Sequence, residues 1–146
     1  MNAKIAALSA GILTATTFAA SAVEQDAEAG EQLFNRCKTC HMISDGDNVI
    51  VRGGRNGPNL YGVVGRTAGS VDGFRYRPSL VAAGEAGLVW DAETLVPYVT
   101  DPGAFLKEYL EDDGARSGMS FKLANGAEDV VAYLAQFGAE EGDGES

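Results

Sequence analysis

The strongest constraint on this chain is the segment Cys37-Lys38-Thr39-Cys40-His41, which contains every cysteine and the only histidine among 146 residues. The spacing C-x-x-C-H places two thiols within one helical turn and an imidazole directly after them. Two thiols placed in this way can form thioethers with two vinyl groups of one porphyrin, and the imidazole is then carried beneath the iron. The motif therefore predicts covalent attachment of one haem c, with His41 as the proximal iron ligand.

Three other uses of a cysteine pair fit the sequence less well. A disulfide between Cys37 and Cys40 would close so short a loop that it would add little stability. A thioredoxin-like redox pair normally follows a strand and begins a helix, whereas this motif follows a helical pattern. A structural zinc ion needs four ligands of cysteine or histidine type, and the chain offers three.

The first 22 residues have the pattern of an export signal. A single lysine precedes a mostly apolar run over residues 5–20, and Ala20-Ser21-Ala22 is a small-x-small site of the kind that signal peptidase accepts. We expect cleavage after Ala22 and a soluble periplasmic protein. An uncleaved membrane anchor is the alternative, which the polar residues within the apolar run disfavour.

The charge of the remaining chain is strongly acidic. Without the leader it carries 10 basic and 21 acidic residues, a net charge of −11. Phosphate backbones bind basic surfaces, so this balance argues against a nucleic-acid partner. Residues 139–146 are acidic and glycine-rich with nothing apolar to bury, which predicts a disordered tail after one folded domain at 23–138.

Apolar residues recur at helical spacing at both ends of this domain. They predict a first helix from about Asp26 to Cys40, and a last helix with Asn125 as N-cap and Glu128 completing a capping box. Three shorter helices are expected at 77–83, 91–100 and 102–110. The segment 44–66 is rich in turn residues and is expected to be irregular, with a short extended piece at 49–51 but without paired strands. We therefore expect an all-α fold of about five helices, with long loops wrapped around the cofactor.

The sixth iron ligand follows by elimination, because the chain has no second histidine. Methionine is the usual alternative for an electron-transfer haem. Met1 leaves with the leader, and Met42 is tied to the proximal side by its neighbour His41. Met119, which lies in a short stretch before the last helix, remains as the predicted distal ligand. Lys122 or an open sixth position are the alternatives.

Two strong axial ligands leave no iron position at which oxygen or peroxide can bind. Such a haem transfers electrons and does not catalyse chemistry on a substrate, so we predict a carrier and not an enzyme. The rival is a peroxidase-like or gas-sensing haem protein, which needs a vacant or labile sixth position. Binding of carbon monoxide to the reduced protein would distinguish the two.

The order and spacing of these motifs resemble the class I cytochrome c family, with the bacterial cytochrome c2 branch as the nearest match. The resemblance extends over about 30–137, which is nearly all of the mature chain. The family packs its first and last helices across a glycine and an aromatic pair. Gly30 and Phe34 resemble that pair, and the resemblance implies that they meet Tyr133 and Leu134.

The resemblance also implies roles for residues around the haem. The segment Gly57-Pro58-Asn59-Leu60 is similar to the family's proline turn, in which the carbonyl of Pro58 would accept from the ring N–H of His41. Met119 matches the family's distal ligand. The other implied contacts are Arg66, Tyr76 and Trp90 at the propionates, Tyr98 near the methionine sulfur and Phe121 at the exposed haem edge. Pro97 departs from the family pattern, because it lies where a helix normally continues.

In this family, cations around the exposed haem edge steer docking onto acidic partners. The candidates in this chain are Arg36, Lys38, Lys107, Arg116 and Lys122. Steering of this kind is compatible with a net charge of −11 if acidic and basic groups lie on opposite sides of the molecule. The resemblance implies a cytochrome bc complex as electron donor and a reaction centre, an oxidase or a nitrite reductase as acceptor. We expect a monomer that makes transient, salt-sensitive contacts.

Overall fold

The computed structural model describes residues 25–138, so the predicted leader at 1–22 and the tail at 139–146 lie outside the described residues. The elements in chain order are α1 (Ala27–Phe34), β1 (Ile43–Asp45), β2 (Asn48–Val51), α2 (Pro78–Glu85), α3 (Ala92–Thr100), α4 (Pro102–Tyr109) and α5 (Ala127–Leu134). Five helices joined by long loops confirm the predicted class I cytochrome c fold. Between residues 25 and 138, no helix has the length and hydrophobicity needed to cross a bilayer.

The two terminal helices pack against each other at a glycine. Asp26 N-caps α1 with its carboxylate, and its own amide donates to the Asp129 carboxylate at 2.8 Å. Gly30 lies so close to α5 that a Cβ there would overlap the carbonyl oxygen of Asp129. One turn further on, the rings of Phe34 and Tyr133 lie 5.4 Å apart. The glycine permits close approach of the helices, and the aromatic pair then fills the contact, as the resemblance implies.

The predicted limits of these two helices are wrong. The first helix ends at Phe34 and not at Cys40, because the backbone tightens into turns in which amides bond three residues back, such as Cys37 N to Phe34 O at 2.8 Å. The N-cap of α5 is Gly126 and not Asn125, and no side-chain cap is present, so the expected capping box does not form. Gly126 has a φ of 79°, a left-handed conformation that glycine adopts without steric cost.

The absence of paired strands was also a wrong expectation. Strands β1 and β2 form an antiparallel hairpin with an irregular register between Ile43 and Ser44. Gly46 provides the turn with a φ of 56°, and Ile43 is completely buried and anchors the hairpin to the core. Strands of three and four residues are too short for alternation of polar and apolar residues to reveal them.

The middle helices follow the sequence signals with one exception. Helix α2 was expected to end at residue 83 but continues through Gly84 to Glu85. Gly84 allows the helix to pack closely on the carbonyl oxygen of Ala68. Helix α3 begins after Asp91, as predicted, and Thr94 completes a capping box there. It continues through Pro97 to its end at Thr100.

Aromatic rings from α3, α4 and the segment before them form much of the core. Trp90 and Tyr98 are both buried, and their ring centroids lie 4.7 Å apart. Phe105 of α4 contacts both, with centroid separations of 6.1 Å from Trp90 and 5.7 Å from Tyr98. Burial of each such side chain contributes roughly 1.5–3 kcal/mol, so this cluster fixes α3 and α4 relative to each other.

Candidate cofactor site

The C-x-x-C-H motif lies on one tight turn. The amides of Cys40 and His41 both donate to the carbonyl of Cys37, at 3.0 and 2.9 Å. Both thiols are free; that of Cys37 is half-buried and that of Cys40 is exposed. Burial raises the pKa of the Cys37 thiol to about 11, while the neighbouring Arg36 guanidinium lowers it. This turn therefore presents two unpaired thiols and an imidazole in adjacent positions, as covalent haem attachment requires.

Backbone contacts with the following loop hold this turn in place. Gly54 donates to the carbonyl of Lys38 at 2.9 Å, and Gly57 donates to that of Cys40 at 2.8 Å. A Cβ at Gly53 or at Gly54 would overlap a carbonyl oxygen of the turn. We call residues 37–60 the proximal segment, because its internal backbone bonds determine the position of the imidazole.

Among residues 25–138, the imidazole of His41 makes one hydrogen bond, which orients the ring. Its Nδ1 lies 2.8 Å from the carbonyl oxygen of Pro58, the contact that the resemblance implied. A carbonyl can only accept, so Nδ1 carries the proton and Nε2 keeps its lone pair. Burial lowers the pKa of His41, with the Pro58 bond opposing this effect and the Arg66 charge adding to it. The lowered pKa favours the neutral ring, whose Nε2 lone pair can be donated to a metal.

Gly57 has no side chain, which leaves room for the imidazole of His41 beside it. A Cβ at Gly57 would overlap the ring of His41 at Cε1 and approach Nδ1 at 2.6 Å and Nε2 at 2.7 Å. Only glycine can therefore occupy this position while the imidazole keeps its orientation.

Met119 lies on a loop that other elements hold from outside, and we call residues 114–122 the methionine loop. Its side chain is half-buried and packs against the core. The amide of Met119 donates to Ser117 Oγ at 3.0 Å, and the hydroxyl of Tyr98 lies 3.4 Å from the same oxygen. Tyr98 thus lies beside the methionine loop and contacts it through Ser117.

Other residues in and directly after the methionine loop contact α2, α3 and the residue between α3 and α4. Arg116 donates its amide to Ser79 Oγ on α2 at 2.9 Å. Lys122 forms an ion pair of 2.7 Å with Asp101, which lies between α3 and α4. Immediately after the loop, the amide of Leu123 donates to a carbonyl of α3 at 2.9 Å. Tertiary contacts therefore position this loop, in contrast to the local contacts of the proximal segment.

The three residues expected at the propionates lie near one another. Arg66 donates through Nη1 to the carbonyls of Asn59 and Tyr61, each at 3.1 Å. Burial lowers the pKa of Arg66 and raises that of Tyr76, and each group's interaction with the other partly offsets this. The amide of the buried Trp90 donates to the carbonyl of Arg66 at 2.9 Å. A half-buried cation with guanidinium nitrogens in addition to Nη1 is suited to a carboxylate.

Three polar residues important to this geometry were missed by sequence reasoning. The side chain of Asn59 accepts from the Ser44 amide at 3.0 Å and donates to the Ser44 carbonyl at 2.7 Å, which joins the proline turn to β1. Ser79 and Ser117 both bind the methionine loop. Asn59 could have been suspected from its place directly after Pro58, whereas no local pattern distinguishes the two serines.

The five docking candidates lie in different surroundings. Lys107, Arg116 and Lys122 line a surface cavity of about 530 Å³ that Met119 also lines. The guanidinium of Arg36 lies over the ring of Phe121, 5.3 Å from its centroid, so it links the motif to the segment after Met119. Lys38 lines a separate cavity of about 270 Å³ beside α1 and α5.

The residues present fit a covalently attached haem. Across residues 25–138, no three His, Cys, Asp or Glu side chains are grouped as a metal ion bound by such ligands would require. The chain instead offers two adjacent thiols, a neutral imidazole with a free Nε2 and a half-buried thioether. An imidazole and a soft thioether are a donor pair used for electron-transfer haem iron.

Relatives of known identity are similar over nearly the whole chain, although the sequence matches no protein-family model. It is 61% identical over 127 residues to cytochrome c-551 of Roseobacter denitrificans, which covers 85% of this chain and 91% of that protein. It is 55% identical over 129 residues to cytochrome c2 of Rhodobacter capsulatus, which covers 88% of this chain and 94% of that protein.

Solved structures agree with these relatives. Cytochrome c2 from Rhodobacter capsulatus matches with a TM-score of 0.74 and 58% identity, over 75% of this chain and 96% of that one. Cytochrome c2 from Paracoccus denitrificans matches with a TM-score of 0.78 and 44% identity, over 80% of this chain and 99% of that one. The chain therefore belongs to the class I cytochrome c family, in its cytochrome c2 branch, and is a monohaem electron carrier with a covalent haem c and not an enzyme.

Proposed function

We propose that this cytochrome carries single electrons from a cytochrome bc complex to a terminal acceptor, which is a photosynthetic reaction centre, an oxidase or a nitrite reductase. The observation that carries the proposal is the donor pair. The only histidine has its Nδ1 engaged by Pro58, and the half-buried Met119 lies on a separately anchored loop. An iron held by both has no vacant position, which suits transfer of electrons to and from other proteins.

His41 and Met119 are the proposed axial ligands, and Cys37 and Cys40 the proposed points of attachment. When bound, the haem supplies a one-electron ferric/ferrous couple. The hydrogen bond to Pro58 keeps the imidazole in one tautomer and one orientation, so the ligand need not rearrange as the charge changes. The soft thioether of Met119 favours the ferrous state and raises the midpoint potential relative to a second histidine.

Two methionines within the described residues allow a matched test of the distal ligand. Met119→Leu should abolish the weak far-red iron–sulfur absorption band and lower the midpoint potential. Met42→Leu removes a half-buried thioether next to His41 and should leave the band and the potential unchanged. An unchanged band in the Met119 variant, or its loss in the Met42 variant, would refute the assignment.

We further propose that Arg66, Tyr76 and Trp90 hold the haem propionates. The support is their grouping around the half-buried Arg66, whose guanidinium would offset carboxylate charge. Arg66→Lys keeps one positive charge but loses the planar fork, so we expect a change in midpoint potential with haem still attached. Arg75→Lys, at an exposed arginine nearby in sequence, is the control that should leave the potential unchanged.

Docking is proposed to use Arg36, Lys38, Lys107, Arg116 and Lys122. Three of them surround the cavity beside Met119, and Arg36 lies on Phe121. Lys122 is already paired with Asp101, so Lys107 and Arg116 are the stronger candidates for steering an acidic partner.

Stopped-flow kinetics with a purified cytochrome bc complex tests both the partner and the surface. Reduction should be saturable, should slow as ionic strength rises and should slow further in Lys107→Gln. Arg75→Gln removes the same charge from an exposed position outside the proposed surface and should have a smaller effect. Reduction without dependence on ionic strength, or equal effects of the two variants, would rule out steering by this surface.

Export to the periplasm is proposed from the leader at residues 1–22, with 23–138 as the cytochrome domain and 139–146 as a solubilising tail. Mass spectrometry of the haem protein from a periplasmic fraction should give a chain that begins at Val23, and light scattering should give a monomer. A chain that still carries the leader, or one confined to the membrane fraction, would contradict export with cleavage.

A further inference from the structure

The methionine loop meets an element that the proposed mechanism does not use. The amide of Arg116, three residues before Met119, donates to the hydroxyl of Ser79 at 2.9 Å across a sequence separation of 37. Next to it, Gly118 packs on the side chain of Arg77, and a Cβ there would lie 3.4 Å from Arg77 Cγ and 3.8 Å from Cδ. The start of α2 therefore packs against the methionine loop.

Ser79 serves this contact and not its own helix. It is the second residue of α2, where a serine hydroxyl could act locally, yet α2 has no side-chain cap. Within residues 25–138, the hydrogen bond that its Oγ makes is the one to the methionine loop. Ser79 is half-buried whereas Arg116 is exposed, so loss of the hydroxyl would replace a fixed acceptor of the Arg116 amide with mobile water.

The other attachments of the loop are to α3 and to the residue before α4. Ser117 contacts Tyr98 of α3, and Lys122 pairs with Asp101 before α4. The bond from Ser79 is the described hydrogen bond that joins the loop to α2. Without it, the residues that lead into Met119 would lose this bond to α2 and keep the packing of Gly118 on Arg77.

We propose that Ser79 and Arg77 are positioning residues for Met119, which hold the entry to the methionine loop against α2. This inference rests on the proposed role of Met119 as the distal ligand. Neither residue touches the iron; they act through the backbone of Arg116 and Gly118. With haem bound, the stability of the bond between Met119 and the iron would then depend on α2, which is more than 30 residues away in sequence.

Two readouts on the intact haem protein test the proposal. In Ser79→Ala, hydrogen exchange of the Arg116 amide should accelerate about fivefold to tenfold, because the amide loses its acceptor. The far-red iron–sulfur band should disappear at a lower temperature, while helical unfolding followed by circular dichroism shifts less. Ser79→Thr retains the hydroxyl and should restore both properties.

Ser70→Ala is the matched control, because this exposed serine donates to the Thr67 carbonyl at 2.6 Å away from the methionine loop. It should leave the exchange rate of Arg116 and the band unchanged. A second pair of variants tests Arg77. Arg77→Ala should also lower the temperature at which the far-red band disappears, and Arg75→Ala should leave it unchanged.

The outcomes separate this inference from the proposed ligand. A normal band combined with unchanged Arg116 exchange in Ser79→Ala would overturn the positioning role and leave Met119 as ligand. Equal shifts of the band and of helical unfolding in Ser79→Ala would reduce Ser79 to a general stabilising residue and also overturn it. Absence of the band from the wild-type protein would overturn the ligand assignment itself, and the positioning role with it.

Discussion

The proximal segment and the methionine loop are each proposed to supply one iron ligand, but they are held in different ways. In the proximal segment, amides bond to carbonyls within 20 residues, and glycines allow these close approaches. The methionine loop is fixed by hydrogen bonds and an ion pair to residues 19 to 37 positions away. One side of the site is therefore built locally, and the other depends on the assembled fold.

Because of this difference, substitutions on the two sides of the site should have effects of different size. A change in the proximal segment disturbs covalent attachment and the imidazole, on which the core itself depends. A change at one anchor of the methionine loop removes one of several bonds and leaves the others. We therefore expect large effects on the proximal side and small, separable effects on the distal side.

The largest effect is expected from Cys37→Ser combined with Cys40→Ser. Without thioethers the haem should be extracted by acidified organic solvent, and the protein without haem should be largely unfolded, because a small, loop-rich chain has little other core. Haem extraction and far-ultraviolet circular dichroism measure the two effects. Retention of haem after extraction, or wild-type helicity without haem, would contradict the prediction.

Next in size is Gly57→Ala on the proximal side. The added methyl group would overlap the His41 ring, so we expect a loss of about 2–3 kcal/mol in the free energy of unfolding, measured by urea denaturation. Gly103→Ala is the control, since a Cβ there meets nothing closer than 3.7 Å. Equal stability of the two variants would mean that the imidazole is not confined in this way.

A smaller effect is expected from Tyr98→Phe on the distal side. The variant loses the contact of 3.4 Å with Ser117 but keeps the packing on Trp90, which predicts a loss of about 0.5–1.5 kcal/mol. Tyr109→Phe, at a more exposed tyrosine that stacks on Phe105, should change stability less. A loss as large as that of Gly57→Ala would refute the separation between the two sides.

The smallest effect is expected from Asp101→Asn, which breaks the exposed ion pair with Lys122 and keeps an N-cap for α4. The hydrogen bond from Lys122 holds the pKa of Asp101 below its ordinary value of 3.8. A carboxyl with a lowered pKa stabilises the fold above that ordinary value and loses this contribution as the pH falls through the lowered one.

Thermal denaturation between pH 7 and pH 2 measures this contribution. The wild type should be slightly more stable than the variant at pH 7, and the difference should shrink below pH 3.8. A difference that grows on acidification would contradict the assigned sign.

The division between local and distant contacts explains part of what could be predicted from the sequence. The starts of α3 after Asp91 and of α4 at Pro102 depend on neighbours a few residues away, and their signals were visible. The contact between His41 and Pro58 was implied by the resemblance and is present at 2.8 Å.

The hairpin of β1 and β2 was missed although it is local, because its strands are short. Two other missed features depend on distant contacts. Gly126 and not Asn125 caps α5, because the chain there enters the helix through a left-handed residue packed on Leu33 of α1. The bond from Arg116 to Ser79 joins the methionine loop to α2, two segments that no periodic pattern relates. Such contacts exist only after the helices have been brought together.

The most direct test of the account is exposure of the reduced haem protein to carbon monoxide. If His41 and Met119 occupy both axial positions, the native protein should not bind the gas, and Met119→Ala should bind it promptly. Prompt binding by the native protein would show an open sixth position and contradict the closed, electron-carrying site.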